Sequence, residues 1–182
     1  MQVDAQFSAV RYHQTDLRFS SGYCTMWYMR PVRVTTEVPY RPEDVYDFLD
    51  VMSNHEPFTN HMLRDWEYAG PDRGVGSKAK VNAVAGGRTD SIEIEVVEAD
   101  RPVRIVERNV GAGGRRIANG TYVLAGLPEG GTQITFEYAW QRAPLSERLA
   151  SPLVRGILRR GNERSMQRLA DQLATAMPSL KS

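Results

Sequence analysis

Apolar and polar residues alternate along much of the chain between residues 31 and 142, and this period of two predicts a succession of strands. Glycine-containing turns separate most of the segments. Each segment has one apolar face, which is typical of half-buried antiparallel strands. The predicted strands are 31–39, 63–69, 76–85, 89–99, 103–111, 116–125 and 132–142.

Two other segments have the period of a helix. Pro42 opens the first, and Val45, Phe48, Leu49 and Met52 then follow at helical spacing. A loop or short second helix covers 53–62. The second periodic segment is one long helix from residue 151 to 177, for which Ser151 is a suitable N-cap.

The long helix has small residues in the middle of its apolar stripe. Gly161 and Ser165 stand where Leu or Ile would normally fill a packing face, and a glycine inside a helix costs about 1 kcal/mol relative to alanine. A bend would explain Gly161, but we expect both residues to face a cavity and to set its volume. The apolar positions of the stripe are Val154, Ile157, Leu158, Leu169 and Leu173.

This order of elements predicts an α+β helix-grip fold. A curved antiparallel sheet of about six to seven strands would wrap around the C-terminal helix, the one element long enough to cover its concave face. One or two short helices follow the first strand. The domain would span residues 30–178. Residues 1–29 lack a steady period and form either a weakly ordered extension or an added strand or hairpin over a sheet edge.

Composition and charge bear on nucleic-acid binding, membrane insertion and cellular location. The chain has 182 residues, 41% hydrophobic and 25% charged, with a net charge of +1 that does not favour nucleic acid. It has no apolar run of the roughly 18 residues that a membrane span needs, and no signal peptide is evident. Its single cysteine, Cys24, excludes an internal disulfide framework and favours the cytoplasm.

Charge is concentrated toward the C-terminus. From Pro144 onward the chain has seven Lys and Arg against three Asp and Glu. This basic helix is either a solvated outer face or a surface that docks an anionic partner.

No motif assigns catalysis. The histidines His13, His55 and His61 have no carboxylate or cysteine partners at metal-ligand spacing, and no nucleophile-elbow sequence occurs. We therefore predict no catalytic residue, cofactor or metal. His61, near the expected pocket mouth, is either a proton donor or acceptor or a surface histidine. The glycines of 111–114 fit a hairpin turn or an open mouth loop.

Three aromatic residues, Trp66, Tyr138 and Trp140, are either core packing or the lining of a cavity. Small residues of the third predicted strand, among them Val81 and Ala83, again leave volume. The pattern of strand 103–111 does not show which set of alternate side chains, its inward parity, faces the core. If Glu107 or Arg108 points inward, it is a buried charge that could orient an enolate or move a proton; otherwise both face solvent.

Several local patterns in this order resemble the START-like superfamily, in particular its polyketide cyclase/dehydrase and lipid-transport branch. The resemblance covers about residues 31–177. The matching segments are VTTEV at 34–38, PEDVYDFL at 42–49, GVGS at 74–77, IEVVEADRP at 94–102, GGTQIT at 130–135 and the Arg-rich final helix.

The helix-grip order, the small residues on its inward faces and this resemblance together predict a protein that binds a hydrophobic or aromatic small molecule, a polyketide-like metabolite or lipid, for carriage, sequestration or self-resistance. We expect a monomer or homodimer. The alternative is a polyketide cyclase, aromatase or dehydratase with an acid/base group in the same cavity. An interaction module that docks through its basic helix is a third hypothesis. The predicted ligand-binding residues are Phe58, His61, Trp66, Val81, Ala83, Ile94, Tyr138, Trp140, Gly161 and Ser165.

Overall fold

The computed structural model describes residues 29–85 and 87–177. Seven strands form one antiparallel sheet in the order β1-β7-β6-β5-β4-β3-β2. From β2 to β7 each strand pairs with its neighbour in sequence, and β1 returns to pair with β7. The strands are β1 Val32–Val38, β2 Leu63–Ala69, β3 Lys78–Ala85, β4 Arg88–Asp100, β5 Arg104–Gly111, β6 Arg116–Gly126 and β7 Thr132–Arg142.

The helices are α1 Pro42–Leu49, α2 His55–Thr59, α3 Leu145–Leu149 and α4 Ser151–Ala176, with a 3₁₀ turn at Met52–Asn54 before α2. Helix α4 packs against β1 and α2. These elements confirm the predicted helix-grip fold, a curved sheet with a long C-terminal helix.

The sequence predicted Ser151 as the N-cap of α4. In the structure Ser151 is instead the first helical residue. The unpredicted helix α3 ends at Leu149 and leaves only Ala150 as a junction, so this junction sets the start of α4.

Within residues 29–85 and 87–177, three irregularities bend the sheet. The pairing register shifts between Arg64 and Glu67 on β2, between Val96 and Glu98 on β4, and at Ile117 on β6. Such bulges increase the local twist of a strand pair, which lets a sheet curve around a helix.

The buried apolar residues form two clusters on the inward face of the sheet. The larger lies beneath α1, α2 and the second half of α4, which contributes Met166, Leu169 and Leu173. The smaller consists of Met29, Val32, Ala118 and Trp140, and Val154 and Leu158 from the first half of α4 pack on it.

One position of the predicted apolar stripe is wrong. Ile157 is 44% exposed, because the first half of α4 covers only the small cluster and presents this side to solvent. Of the predicted extension 1–29, only Met29 is among the described residues, and it is buried with Trp140.

Candidate functional site

A histidine and a glutamate meet inside the larger cluster. His55 begins α2 and is 3% exposed, and Glu107 lies in the middle of β5 and is 5% exposed. The Nδ1 atom of His55 is 3.1 Å from Oε1 of Glu107. The open parity of β5 is thereby settled: Ile105, Glu107 and Asn109 face inward, whereas Arg108 is exposed.

The contact of the second ring nitrogen shows where one proton of His55 lies. Nε2 of His55 is 2.7 Å from the carbonyl oxygen of Leu49, which can only accept, so Nε2 carries hydrogen. Nδ1, on the other side of the ring, faces the Glu107 carboxyl group. Burial lowers the pKa of His55, but the Glu107 carboxylate and the Leu49 carbonyl outweigh it and hold this pKa above its ordinary 6.5. His55 is therefore protonated to a greater extent than a free imidazole at the same pH.

Aromatic rings surround the pair. The ring centroids of Phe58 and Tyr122 are 5.3 and 5.6 Å from that of His55, and both side chains are buried. Burial, and then the charge of Glu107, raises the pKa of Tyr122 well above its usual value, so its phenol stays neutral. A surround of this kind lowers the local dielectric and strengthens every polar interaction within it.

The carboxylate of Glu107 is only partly satisfied. Oε1 forms an ion pair with Nδ1 of His55 at 3.1 Å, but no aligned hydrogen bond reaches it from the described residues. Across the sheet Glu107 is flanked by Val96 on β4 and Gly120 on β6. Asn109 donates from Nδ2 to the backbone carbonyl of Glu107 at 3.3 Å, not to its carboxylate.

Other unpaired polar atoms lie on elements that enclose the same interior. Asn162 and Ser165 of α4 are 6% and 3% exposed, and their Nδ2 and Oγ atoms have no partner within the described ranges. They stand between the parts of α4 that cover the two clusters. Trp66 Nε1 on β2 is also buried, and no residue in the described part of the chain pairs with it. The other buried side-chain atoms without a partner in this part of the chain are Tyr40 Oη, Ser77 Oγ, Trp140 Nε1 and Arg148 Nε.

The space beside Gly161 is filled, so the prediction that this glycine leaves open volume is wrong. A β-carbon there would collide with Sδ of Met62. The neighbouring His61 donates from Nε2 to the Gly161 carbonyl at 3.1 Å, and Nη1 of Arg168 lies 3.2 Å from its Nδ1. Burial, and then nearby arginines, lowers the pKa of His61, so this ring is neutral and joins the 61–62 segment to α4.

A charged cluster joins the start of β6 to β4 and α3. Arg116 at the start of β6 donates from Nη1 to Asp90 Oδ2 at 2.7 Å and from Nε to Glu147 Oε1 of α3 at 2.9 Å. Burial opposes the charge of Arg116, but the two carboxylates outweigh it and raise its pKa. Burial also raises the pKa of the adjacent Tyr138 to about 12, although Arg116 opposes this.

The predicted ligand-binding residues all lie on the elements that enclose this interior. Phe58, Val81, Ile94, Trp140 and Ser165 are buried, and His61, Trp66, Ala83, Tyr138 and Gly161 are half-buried. Trp140 stands apart in the smaller cluster, in edge contact with Tyr138 at 5.0 Å. Whether any of them contacts a ligand stays a prediction.

Sequence reasoning missed the most polar part of the site. It left Glu107 undecided and treated His55 only as a failed metal ligand, and it did not single out Asn109, Tyr122 or Asn162. Glu107 and Asn109 share the strand face of the apolar Ile105, but the equally apolar Val106 on the other face masks this signal.

Within the described residues no group of three or more His, Cys, Asp or Glu side chains is placed to hold a metal ion. None of the described helices combines the length and the apolar character needed to cross a membrane.

A curved sheet that grips a long helix over a partly polar interior defines the helix-grip class of domain, and solved structures share it. A protein from Thermus thermophilus is 21% identical, with a TM-score of 0.64, and the match covers 81% of this chain and 99% of that one. The Zhui aromatase/cyclase from a Streptomyces species is 13% identical, with a TM-score of 0.64 and coverage of 82% and 96%. A START superfamily protein from Mycobacterium smegmatis is 12% identical, with a TM-score of 0.63 and coverage of 80% and 98%.

The sequence profile of one family matches residues 29–177, and the chain therefore belongs to the polyketide cyclase/dehydrase and lipid-transport family. A comparison with curated proteins found no match. The family and the shared fold confirm the resemblance that the sequence motifs indicated.

Proposed function

We propose that this protein binds a hydrophobic or aromatic small molecule, a polyketide-like metabolite or lipid, between the sheet and α4, for carriage, sequestration or self-resistance. One observation carries the proposal: Glu107, Asn162 and Ser165 place polar atoms inside a largely apolar interior, and among the described residues none of these atoms has an aligned hydrogen-bond partner. The family description, which includes lipid transport, supports it.

The energetic argument is direct. A buried polar atom without a partner costs about 1–3 kcal/mol, and native proteins retain few of them. Three such atoms on facing elements are therefore expected to have partners in the working protein. A ligand with an apolar skeleton and a few polar groups would supply those partners and cover the surrounding rings.

Native mass spectrometry of the purified protein tests this proposal. We expect a small molecule to co-purify and to be lost in Ser165→Leu, because a leucine there fills space on the inward side of α4. Gln167→Leu is the matched control, since Gln167 is exposed on the same helix. Equal retention of the molecule by both variants would contradict the assigned location.

A second function, that of a polyketide cyclase, aromatase or dehydratase, is favoured by the buried pair of His55 and Glu107. In a β-hydroxy ketone, the Glu107 carboxylate could take a proton from the carbon between the ketone and the hydroxyl-bearing carbon while the imidazolium of His55 gives a proton to that hydroxyl. The C–O bond then breaks, a C=C bond forms and water leaves. The test offers the protein a synthetic poly-β-ketone thioester and follows loss of water by mass spectrometry. Loss of turnover with retained binding in Glu107→Gln would support catalysis, and unchanged turnover would exclude this role.

Four further expectations from the sequence also stay predictions. They are a cytoplasmic location, a monomeric or homodimeric state, no binding of nucleic acid, and a domain that spans residues 30–178. Light scattering of the purified protein decides the oligomeric state.

A further inference from the structure

We infer that the ligand presents a neutral hydroxyl group, as in a phenol or an alcohol, to the carboxylate of Glu107, and that the protein discriminates against ligands that end in a carboxylate. This inference rests on the proposed binding function and specifies its ligand class. Its first support is geometric: Oε1 of Glu107 is buried and can accept two hydrogen bonds, and among the described residues its contact with Nδ1 of His55 at 3.1 Å is an ion pair without hydrogen-bond alignment, so it can accept a donor from the ligand.

The charges around the pair favour the same class of ligand. The charged groups that act on His55 are Glu107 and, more weakly, Asp50, and the charge that acts on Tyr122 is Glu107. The cation of the pair, the His55 imidazolium, is already opposed by the Glu107 carboxylate. A ligand carboxylate would therefore meet an anion at low dielectric, where like charges repel strongly.

The nearest inward-facing arginine on the neighbouring strand does not change this balance. Arg116 lies four residues along β6 from Gly120, the residue that pairs with Glu107, which is about 13 Å of strand. Its guanidinium already binds Asp90 and Glu147. A ligand anion at that end would have to compete with two carboxylates that are part of the protein.

Two matched series of probes test the inference by calorimetry at pH 7. The first is 2-naphthol, 2-methoxynaphthalene and 2-naphthoate, and the second is dodecanol, dodecyl methyl ether and dodecanoate. In whichever series binds, the hydroxyl compound should bind about ten-fold or more tightly than the ether and the carboxylate, because a hydrogen bond to a charged group is worth roughly that factor.

Glu107→Gln keeps the shape of the side chain and removes its charge. The preference for hydroxyl over carboxylate should then fall about ten-fold, whereas Glu93→Gln, an exposed change on β4, should leave it unaltered. If Glu107→Gln does not fold, the two series on the natural protein decide the question.

The outcomes separate the inference from the proposed function. Tighter binding of a carboxylate, equal binding of all three members of a series, or a hydroxyl preference that survives in folded Glu107→Gln would overturn the inference and leave the binding function intact. Failure of both series to bind at all would overturn the binding function and the inference with it.

Discussion

The thioether of Met62 occupies the position into which a side chain on Gly161 would project. The adjacent His61 is bonded to the carbonyl of the same glycine. Helix α4 therefore approaches the segment after α2 so closely that a side chain at this point of the helix fits only if Met62 moves. In the sequence this glycine indicated free volume, but in the fold it is a contact between two elements.

Gly161→Ala should destabilise the protein. Alanine favours a helix by about 1 kcal/mol over glycine, but its methyl group must push aside the half-buried Met62, and we expect a net loss of about 1 kcal/mol in the free energy of unfolding. Urea denaturation measures this change. In a Met62→Ala background the same substitution should be stabilising, because the obstruction is gone.

Gly156→Ala is the matched control for that experiment. Nothing lies within 4 Å of the position its β-carbon would take, so it should stabilise α4 by up to about 1 kcal/mol. If Gly161→Ala were as stabilising as Gly156→Ala in the natural background, the close contact with Met62 would be refuted.

The buried pair predicts a particular dependence of stability on pH. The folded-state pKa of His55 lies above its unfolded value of about 6.5, so the folded protein binds the extra proton more tightly. The stabilisation is fully present below about pH 6.5 and is lost as the pH rises through the folded pKa. The slope contributed by one group cannot exceed about 1.4 kcal/mol per pH unit. Urea unfolding between pH 6 and 9 measures it.

Glu107→Gln should remove this slope, because burial then dominates and lowers the pKa of His55. Glu95→Gln, which breaks the exposed pair of Glu95 with Lys78, should retain the slope of the natural protein. Parallel stability curves for Glu107→Gln and the natural protein would show that the histidine titrates independently of this carboxylate.

The inward parity of β5 could not be read from its sequence, for a physical reason. Ile105 and Val106 are adjacent and both buried, so the strand has no simple alternation of apolar and polar residues. The bulge between Val96 and Glu98 changes the register on the neighbouring strand, which removes any help from pairing. The strands with strict alternation, such as β7 from Ile134 to Trp140, were predicted correctly.

Helix α4 was predicted as an element, yet the side it buries was only partly predictable. Periodicity identifies an apolar stripe, but it does not show how far the sheet extends beneath the helix. Ile157 is exposed because the sheet contacts only a narrow strip of the first half of α4, whereas Asn162 is buried between the two clusters despite its polarity. A polar residue in such a position carries no sequence signal that distinguishes it from a solvated one.

Helix α3 should be held to the sheet by Glu147. Its carboxylate forms a salt bridge with the guanidinium of Arg116, and both side chains are largely buried. Glu147→Gln should therefore lower the free energy of unfolding by about 1–3 kcal/mol and increase hydrogen exchange in residues 145–149. Glu98→Gln is the control, because it breaks a half-exposed pair with Arg104 and should cost at most about 0.5 kcal/mol. Unchanged exchange in residues 145–149 of Glu147→Gln would mean that α3 is held by other contacts.

Ser165→Ala should have opposite effects on the empty protein and on its complex. The Oγ atom of Ser165 is buried without a partner among the described residues, so its removal together with the better helix propensity of alanine should stabilise the ligand-free protein by about 1 kcal/mol. If the hydroxyl instead pairs with a bound ligand, the affinity for that ligand should fall about five-fold.

Denaturation and calorimetry with the tightest-binding probe measure the two effects on the same samples, and Gln167→Ala supplies the effect of helix propensity alone at an exposed position. A loss of stability in ligand-free Ser165→Ala would show that the hydroxyl already has a partner inside the protein, and it would remove Ser165 from the candidate site.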